Sequence, residues 1–272
     1  MMSRTTGLSR AKGINRAPSF FSRPIFNLSF VLKLMERLVV NRFNLYVNQQ
    51  YLLPVYQSAY RPNHSMEMAI VIIHNDIVQA MNNGDVSVLI LLDLSSAIDI
   101  VDHAVLLAVL EERFCIKNIE LEWFRPYLSV FCVASQTSAS VQLTCSMPQG
   151  SVIDPQRFVA YMKDSEEVID PFAINHHLYA DDRQLQKHMH LAAIQTNHLI
   201  LERCIAEIKH WCSSRRLKLK DEGHRFSSRA NLQTMDTTLQ ICSTIVQPVT
   251  SVRNLGVYID SELSKQVHIG KD

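Results

Sequence analysis

Glycine and proline are scarce in this chain, at 7 and 9 of 272 residues, which excludes a collagen-like or linker-dominated polypeptide. No repeat of fixed period runs through it, so a solenoid is excluded as well. The six cysteines, at positions 115, 132, 145, 204, 212 and 242, form no CxxC pair and no zinc-like Cys/His spacing. They suit free, buried thiols in a reducing compartment. Long hydrophobic runs are missing too: stretches such as 86–92 fall far short of the roughly 20 apolar residues that span a bilayer. An intracellular chain, nuclear or cytoplasmic and without membrane attachment, is expected. Nor is there an excess of charge of one sign, since 27 Lys and Arg nearly cancel 26 Asp and Glu. Net charge therefore carries no signature of nucleic-acid binding, and only the distribution of charge can.

What is present is apolar material, 47% of the residues, enough for a sizeable core. Residues 1–22 hold Arg4, Arg10, Lys12 and Arg16 with no acid and no apolar core of a secretory signal, which predicts a basic, disordered leader. Over residues 27–49, Leu28, Val31, Leu32, Met35, Leu38, Val39, Phe43 and Tyr46 recur at helical spacing. A second helix is predicted from Ser65 as N-cap to Asn83, stopped by Gly84. The period then changes: residues 86–92 are almost wholly apolar, as in a strand buried on both faces.

That strand ends on Asp93, and a helix capped by Asp102 follows, running to Phe114. Residues 131–134 and 141–145 read as a hairpin, and a further helix is predicted from Pro155, a residue suited to the first helical turn. A second hairpin, 173–178 with 184–187, brackets Tyr179-Ala180-Asp181-Asp182. The clearest helical period spans 191–211 and runs out into Arg215, Arg216, Lys218 and Lys220, cations that suit a helix C-terminus. Residues 238–258 are β-rich. Hairpins interleaved with helices, without regular βαβ crossovers, predict an α+β fold with an antiparallel sheet backed by helices.

Asp93 at a strand end and the Asp181-Asp182 pair at a hairpin tip can be brought to one point by neighbouring strands of one sheet. Hard carboxylate oxygens in such a place suit magnesium, and two such ions about 3.5–4 Å apart can clamp the attacking and leaving oxygens of phosphoryl transfer. Taken singly, each acid also suits an ordinary turn or cap.

The order of the surrounding blocks adds to this. Arg23-Pro24-Ile25, Asn27-Leu28-Ser29 and Glu36-Arg37 come first, then Leu52-Leu53-Pro54 with Gln57-Ser58-Ala59-Tyr60-Arg61 and His64-Ser65. Asp93-Leu94-Ser95-Ser96-Ala97-Ile98-Asp99 with Val101-Asp102-His103 follows, then Trp123-Phe124 with Tyr127-Leu128-Ser129, and Pro148-Gln149-Gly150-Ser151. Tyr179-Ala180-Asp181-Asp182, Trp211 with Leu217-Lys218-Leu219, and Leu255-Gly256-Val257 complete the series. In this order the blocks resemble the reverse transcriptase of non-LTR (LINE-type) retrotransposons over nearly the whole chain.

The resemblance implies a right-hand polymerase: fingers over 23–85, a palm over 86–235, and a primer-grip region with the start of a truncated thumb over 236–272. It implies two Mg2+ ions held by Asp93, Asp181 and Asp182. Substrate contacts would fall on Arg61, Ile98, Gln149 and Gly150, and nucleic-acid contacts on Leu255, Gly256 and Lys220. The implied partners are an RNA template, a DNA primer and deoxynucleoside triphosphates.

The chain departs from the family in several places. Ile98 stands where an aromatic is usual, Asp154 where a glycine is usual, and Arg183 where a threonine follows the acid pair. The lysine expected after Leu217-Lys218-Leu219 is absent, with Lys220 nearby. Arg183 is placed to pair with Asp182 and compete with a metal ion. The alternative expectation is thus a catalytically inactive retrotransposon remnant that binds nucleic acid through Arg215, Arg216, Lys218 and Lys220. A metal-dependent hydrolase using the same acids is a third.

Overall fold

The structure, a computed structural model, describes residues 29–95, 100–129, 145, 150–220, 224–227, 239–241, 244–246, 248–249 and 251–260. Helix α1 (Phe30–Gln49) starts at Ser29, whose hydroxyl accepts from the Leu32 amide at 3.3 Å. Its buried face is Glu36, Val40, Phe43 and Val47. Part of the stripe expected from periodicity turns outward, Val31 being 68% exposed and Leu38 54%, whereas Phe43 is buried and Val39 and Tyr46 pack against the core. The helix is apolar around most of its girth, so spacing alone does not choose a face. Glu36 chooses it, as the site geometry below makes plain. Helix α2 (Met66–Asn82) is capped by Ser65 and stopped before Gly84, at φ +81°, where only glycine sits without strain.

Strand β1 (Val86–Leu92) forms as its composition demands. Val86, Val88, Ile90 and Leu92 enter the main core on one side; Leu89, on the other, packs with Ile73 and Ile77 of α2. Each such side chain, fully buried, stabilises the fold by ~1.5–3 kcal/mol. After β2 (Leu94–Ser95) come the helices α3 (His103–Glu112), α4 (Asn118–Ser129), α5 (Asp154–Tyr161) and α6 (Ser165–Ile169). Asp102 caps α3 as its sequence predicts, accepting from Ala104 N at 2.9 Å and Val105 N at 3.1 Å.

The hairpin of β3 (Asn175–Tyr179) and β4 (Asp182–Met189) leads to the long helix α7 (Ile194–Ser214), then to β5 (Lys218–Leu219) and β6 (His224–Ser227). Strands β7 (Leu239–Ile241), β8 (Thr244–Val246) and β9 (Pro248–Val249) follow. The hairpin β10 (Ser251–Asn254) and β11 (Val257–Asp260) closes the described chain. Among the described residues the main sheet runs β3-β4-β1-β6-β9, antiparallel except for the β6–β9 pair. Val252 and Ile259 of the last hairpin pack on α2 and Leu89. The predicted α+β architecture, an antiparallel sheet backed by helices, is what the chain adopts.

Asp154 is the departure from expectation. It stands where a glycine is usual in the family that the blocks resemble, yet it opens α5 and has no positive φ, so the backbone freedom of glycine is not needed there. Pro155 suits that first turn, and the Asp154 carboxylate is held by Arg157 Nη1 at 3.0 Å, so no strain arises. The predicted leader and the hairpin at 131–145 lie outside the described residues, apart from Cys145, which bridges to Asp102.

Candidate active site

The register of two strands creates the site. β1 and β4 pair antiparallel with Leu92 opposite Arg183, and β3 and β4 pair with Tyr179 opposite Asp182. Asp93, the next residue after β1, and Asp181-Asp182 at the hairpin tip are thereby carried to the same end of the sheet. Ala180 makes the turn in the left-handed region, at φ +55°. The three acids share an electrostatic neighbourhood. Burial, then Asp181, then Asp93 push the Asp182 carboxyl up to about 6, against the pull of Lys220. Two anions that raise a third group's affinity for a proton are also a place that attracts other cations. Among the described residues, no three acidic, histidine or cysteine side chains are grouped closely enough to hold a metal ion.

Alternation along β4 separates two sequence neighbours. Asp182 faces the acidic tip, whereas Arg183 points to the other side of the sheet, where it is 1% exposed. Its guanidinium lies 4.9 Å from the Trp211 ring centroid, and Nη2 is 4.0 Å from Met162 Sδ. The expected pairing of Arg183 with Asp182 therefore does not form, because opposite faces of one strand cannot meet.

The cation at the tip is Lys220 instead. Its ammonium makes an ion pair with Asp93 Oδ2, and its main-chain N–H donates to the Asp93 carbonyl at 2.9 Å. The pairing of β2 with β5, Leu94 opposite Leu219, sets this position. Lys220, expected among the nucleic-acid contacts, thus has an acid of its own chain as partner. Of the basic run to which it belongs, Arg215 pairs with Asp164, Arg216 with Asp102 at 2.9 Å, and Lys220 with Asp93, so three of its four cations have acid partners within the fold.

The segment before α2 supports the tip from its other side. Ser58 N donates to Leu178 O at 3.0 Å and Leu178 N to Tyr56 O at 2.9 Å, laying residues 56–58 along the outer edge of β3. Gln57, 1% exposed, reaches the turn itself: its Oε1 accepts from Ala180 N at 3.0 Å and its Nε2 donates to Ala180 O at 3.4 Å. Glu166 secures the segment by accepting from Val55 N at 3.0 Å and Tyr56 N at 2.8 Å. Tyr60 lies near enough to Asp181 for that acid, after burial, to push the phenol up. Arg61 spends Nη1 on the carbonyls of Pro54, Val55 and Gln57, at 3.0, 3.4 and 3.3 Å, which shapes this loop.

A second polar cluster backs the loop around Gly150, which is exposed with φ +109°. Glu36, wholly buried, accepts from Val152 N at 2.7 Å and from Ser151 Oγ at 2.9 Å. Asp154 and Arg157 lie beside it, and burial pushes the Asp154 carboxyl up to about 7 and Arg157 down to about 10. Leu255 and Gly256, at φ +46° and +84°, form the two-residue turn of the last hairpin. That hairpin is tied to β4 by Gln184 Nε2 donating to Asn254 Oδ1 at 2.7 Å. Ile98 and Gln149 lie outside the described residues.

Sequence reasoning missed Glu36 and Gln57 as site-shaping residues. Glu36 left a signal: it falls in phase with Val40, Phe43 and Val47, so an acid occupies a core position of a helix. Gln57 left none beyond its block.

A family profile described as reverse transcriptase (RNA-dependent DNA polymerase) matches residues 21–259. A "Probable RNA-directed DNA polymerase from transposon BS" of Drosophila melanogaster is 24% identical over 258 residues, 91% of this chain and 28% of that protein. Apo telomerase from Candida tropicalis superposes with TM-scores of 0.56 and 0.53, at 10% identity, over 84% and 86% of this chain and 40% and 44% of those chains. Telomerase from Candida albicans in complex with a fragment of telomeric RNA gives 0.52 at 12% identity, over 86% of this chain and 37% of that one. The chain thus spans about a quarter of the transposon protein and less than half of the telomerase chains.

Proposed function

The chain belongs to the reverse transcriptase family, and from that premise we propose that it is the RNA-directed DNA polymerase domain of a retrotransposon. One observation carries this: β1 and the β3–β4 hairpin bring Asp93 within electrostatic reach of Asp181-Asp182, so that Asp182 responds to both. The chemistry of the donors suits a divalent ion, since they are hard oxygens, carry an excess of negative charge and already attract a cation in Lys220, but the three carboxylates are not grouped closely enough to share an ion and would have to draw together around it. Asp93, Asp181 and Asp182 would hold two Mg2+ ions. When bound, these supply a more acidic primer 3′-hydroxyl and stabilisation of the charge on the leaving diphosphate.

The chain's own residues do the positioning. Gln57 fixes the main chain of the acidic turn, and Tyr60, beside Asp181, would face the incoming nucleotide. Arg61, held to its loop by one nitrogen, retains donors for the triphosphate, and Ile98 would sit beside the sugar. Gln149 and Gly150 would lie under the templating base, and Leu255 and Gly256 along the primer. Residues 23–85 would act as fingers, 86–235 as palm, and 236–272 as primer grip and the beginning of a thumb. The partners would be an RNA template, a DNA primer and deoxynucleoside triphosphates. Among the described residues, no helix is long and apolar enough to cross a membrane.

The test is primer extension on an RNA template by the purified 272-residue chain with magnesium. Asp181→Ala is expected to lower incorporation by about 10³-fold or more, in keeping with electrostatic stabilisation as the main catalytic term. Equal incorporation by the variant would remove the assignment. The pairing of Lys220 with Asp93 favours a second reading, an inert remnant, which would show salt-sensitive RNA binding without incorporation.

A further inference from the structure

We infer that Lys220 is a built-in counter-cation of the acidic tip, and that a divalent ion must displace its ammonium from Asp93 in order to bind. The inference rests on the proposed metal-binding role of the three acids and adds a determinant of their metal affinity that lies outside them.

Position is the first argument. Lys220 is not a mobile surface lysine that happens to reach an acid. Its backbone is fixed by the pairing of Leu219 with Leu94, and its own N–H bonds the carbonyl of the very residue whose carboxylate its side chain contacts. Main chain and side chain therefore address Asp93 together. The second argument is the accounting of charge. Asp93, Asp181 and Asp182 are three carboxylates at one end of the sheet, and the other cations of the neighbouring stretch are engaged elsewhere: Arg215 on Asp164 and Arg216 on Asp102. Arg183, the cation nearest in sequence, is on the opposite face under Trp211. Lys220 is left as the cation that meets the tip among the described residues.

The third argument is displaceability. The Lys220 and Asp93 side chains are 45% and 41% exposed. Ion pairs in such positions are weak because water competes for both partners. A divalent ion, with twice the charge and a demand for carboxylate oxygen, outcompetes an exposed ammonium, yet the ammonium lowers the ion's apparent affinity while it occupies Asp93. Once displaced, it remains beside the tip on its fixed backbone.

The experiment uses the full chain stripped of metal by chelation, with Mn2+ alone as the probe and the free ion counted by electron paramagnetic resonance. Lys220→Gln is expected to bind Mn2+ about 3- to 10-fold more tightly than the parent, as removal of a competing, like-charged group predicts. Lys220→Arg should stay near the parent value. Lys218→Gln, on the short strand that immediately precedes Lys220 and without an ion pair among the described residues, controls for the long-range effect of losing one charge and should shift affinity less than about 2-fold. Circular dichroism of each variant checks folding. Unchanged or weaker binding by Lys220→Gln, or an equal gain in Lys218→Gln, overturns the inference. Asp93→Asn separates the two levels: if it abolishes tight binding while Lys220→Gln matches the parent, only the competition fails. If it has no effect, the metal role of the tip and the inference built on it fall together.

Discussion

The open rim of the sheet and the interior just behind it treat positive charge in opposite ways. At the rim, Lys220 meets Asp93 with both side chains nearly half exposed. In the interior, Arg157 and Arg183 are each 1% exposed, the first against Asp154 and Glu36, the second against Trp211 and Met162 with no ion pair among the described residues. A rim cation is cheap to place and easy to move, whereas an interior cation has lost its hydration and can only be structural. The comparison teaches where to look for a competitor of the proposed metal ions. Sequence adjacency nominates Arg183, but the strand's alternation sends it away; register nominates Lys220, far along the chain.

The sharpest way to break the comparison is at Arg157. Arg157→Leu leaves Asp154 and Glu36 buried without their cation and is expected to cost ~3–5 kcal/mol of folding stability, read by urea unfolding. The pH dependence has a definite sign. Asp154 titrates near 3.8 when unfolded and at about 7 when folded, so the folded chain holds the extra proton between those values. Its contribution to stability therefore falls as pH rises through that window and is fully retained below it. Without the guanidinium to hold the carboxyl down, the loss in Arg157→Leu should be greater at about pH 8 than at about pH 5.5. An equal loss at both would mean that Asp154 is not the group left stranded.

Next in size is Arg183. A desolvated guanidinium set against a ring, a thioether and two cysteines, without an ion pair among the described residues, contributes less than an apolar side chain of similar volume, so Arg183→Met is expected to stabilise the chain by ~1–4 kcal/mol. A lower melting temperature would show that the interior needs this charge. The smallest effect is expected at the rim: Lys220→Gln should change folding stability by no more than ~1 kcal/mol, measured in the same unfolding series. A loss as large as that of Arg157→Leu would erase the distinction between rim and interior.

Much of the fold was legible because short-range chemistry decided it. Ser65, Gly84 and Asp102 mark element ends by capping and backbone freedom, and the almost wholly apolar run of β1 announces burial on both faces. The acids were legible as a set through their blocks. The face of α1 was not, because a helix apolar on most sides offers no unique stripe and a single buried carboxylate, Glu36, fixes its rotation. The partners of the basic run were equally hidden. Arg216 with Asp102 and Lys220 with Asp93 are pairings between residues far apart in sequence, the second set by the β2–β5 register, which composition and local period do not encode.

The grip of Gln57 on Ala180 has a consequence for when the acidic turn comes into being. The two residues are 123 positions apart, so the turn receives its last hydrogen bonds only after a very long chain segment has closed on itself. Closure over such spans is slow relative to local hairpin formation. The β3–β4 ribbon can zip early, but its tip matures late, when the upstream segment docks, so the turn that carries Asp181 and Asp182 is among the last parts finished in folding.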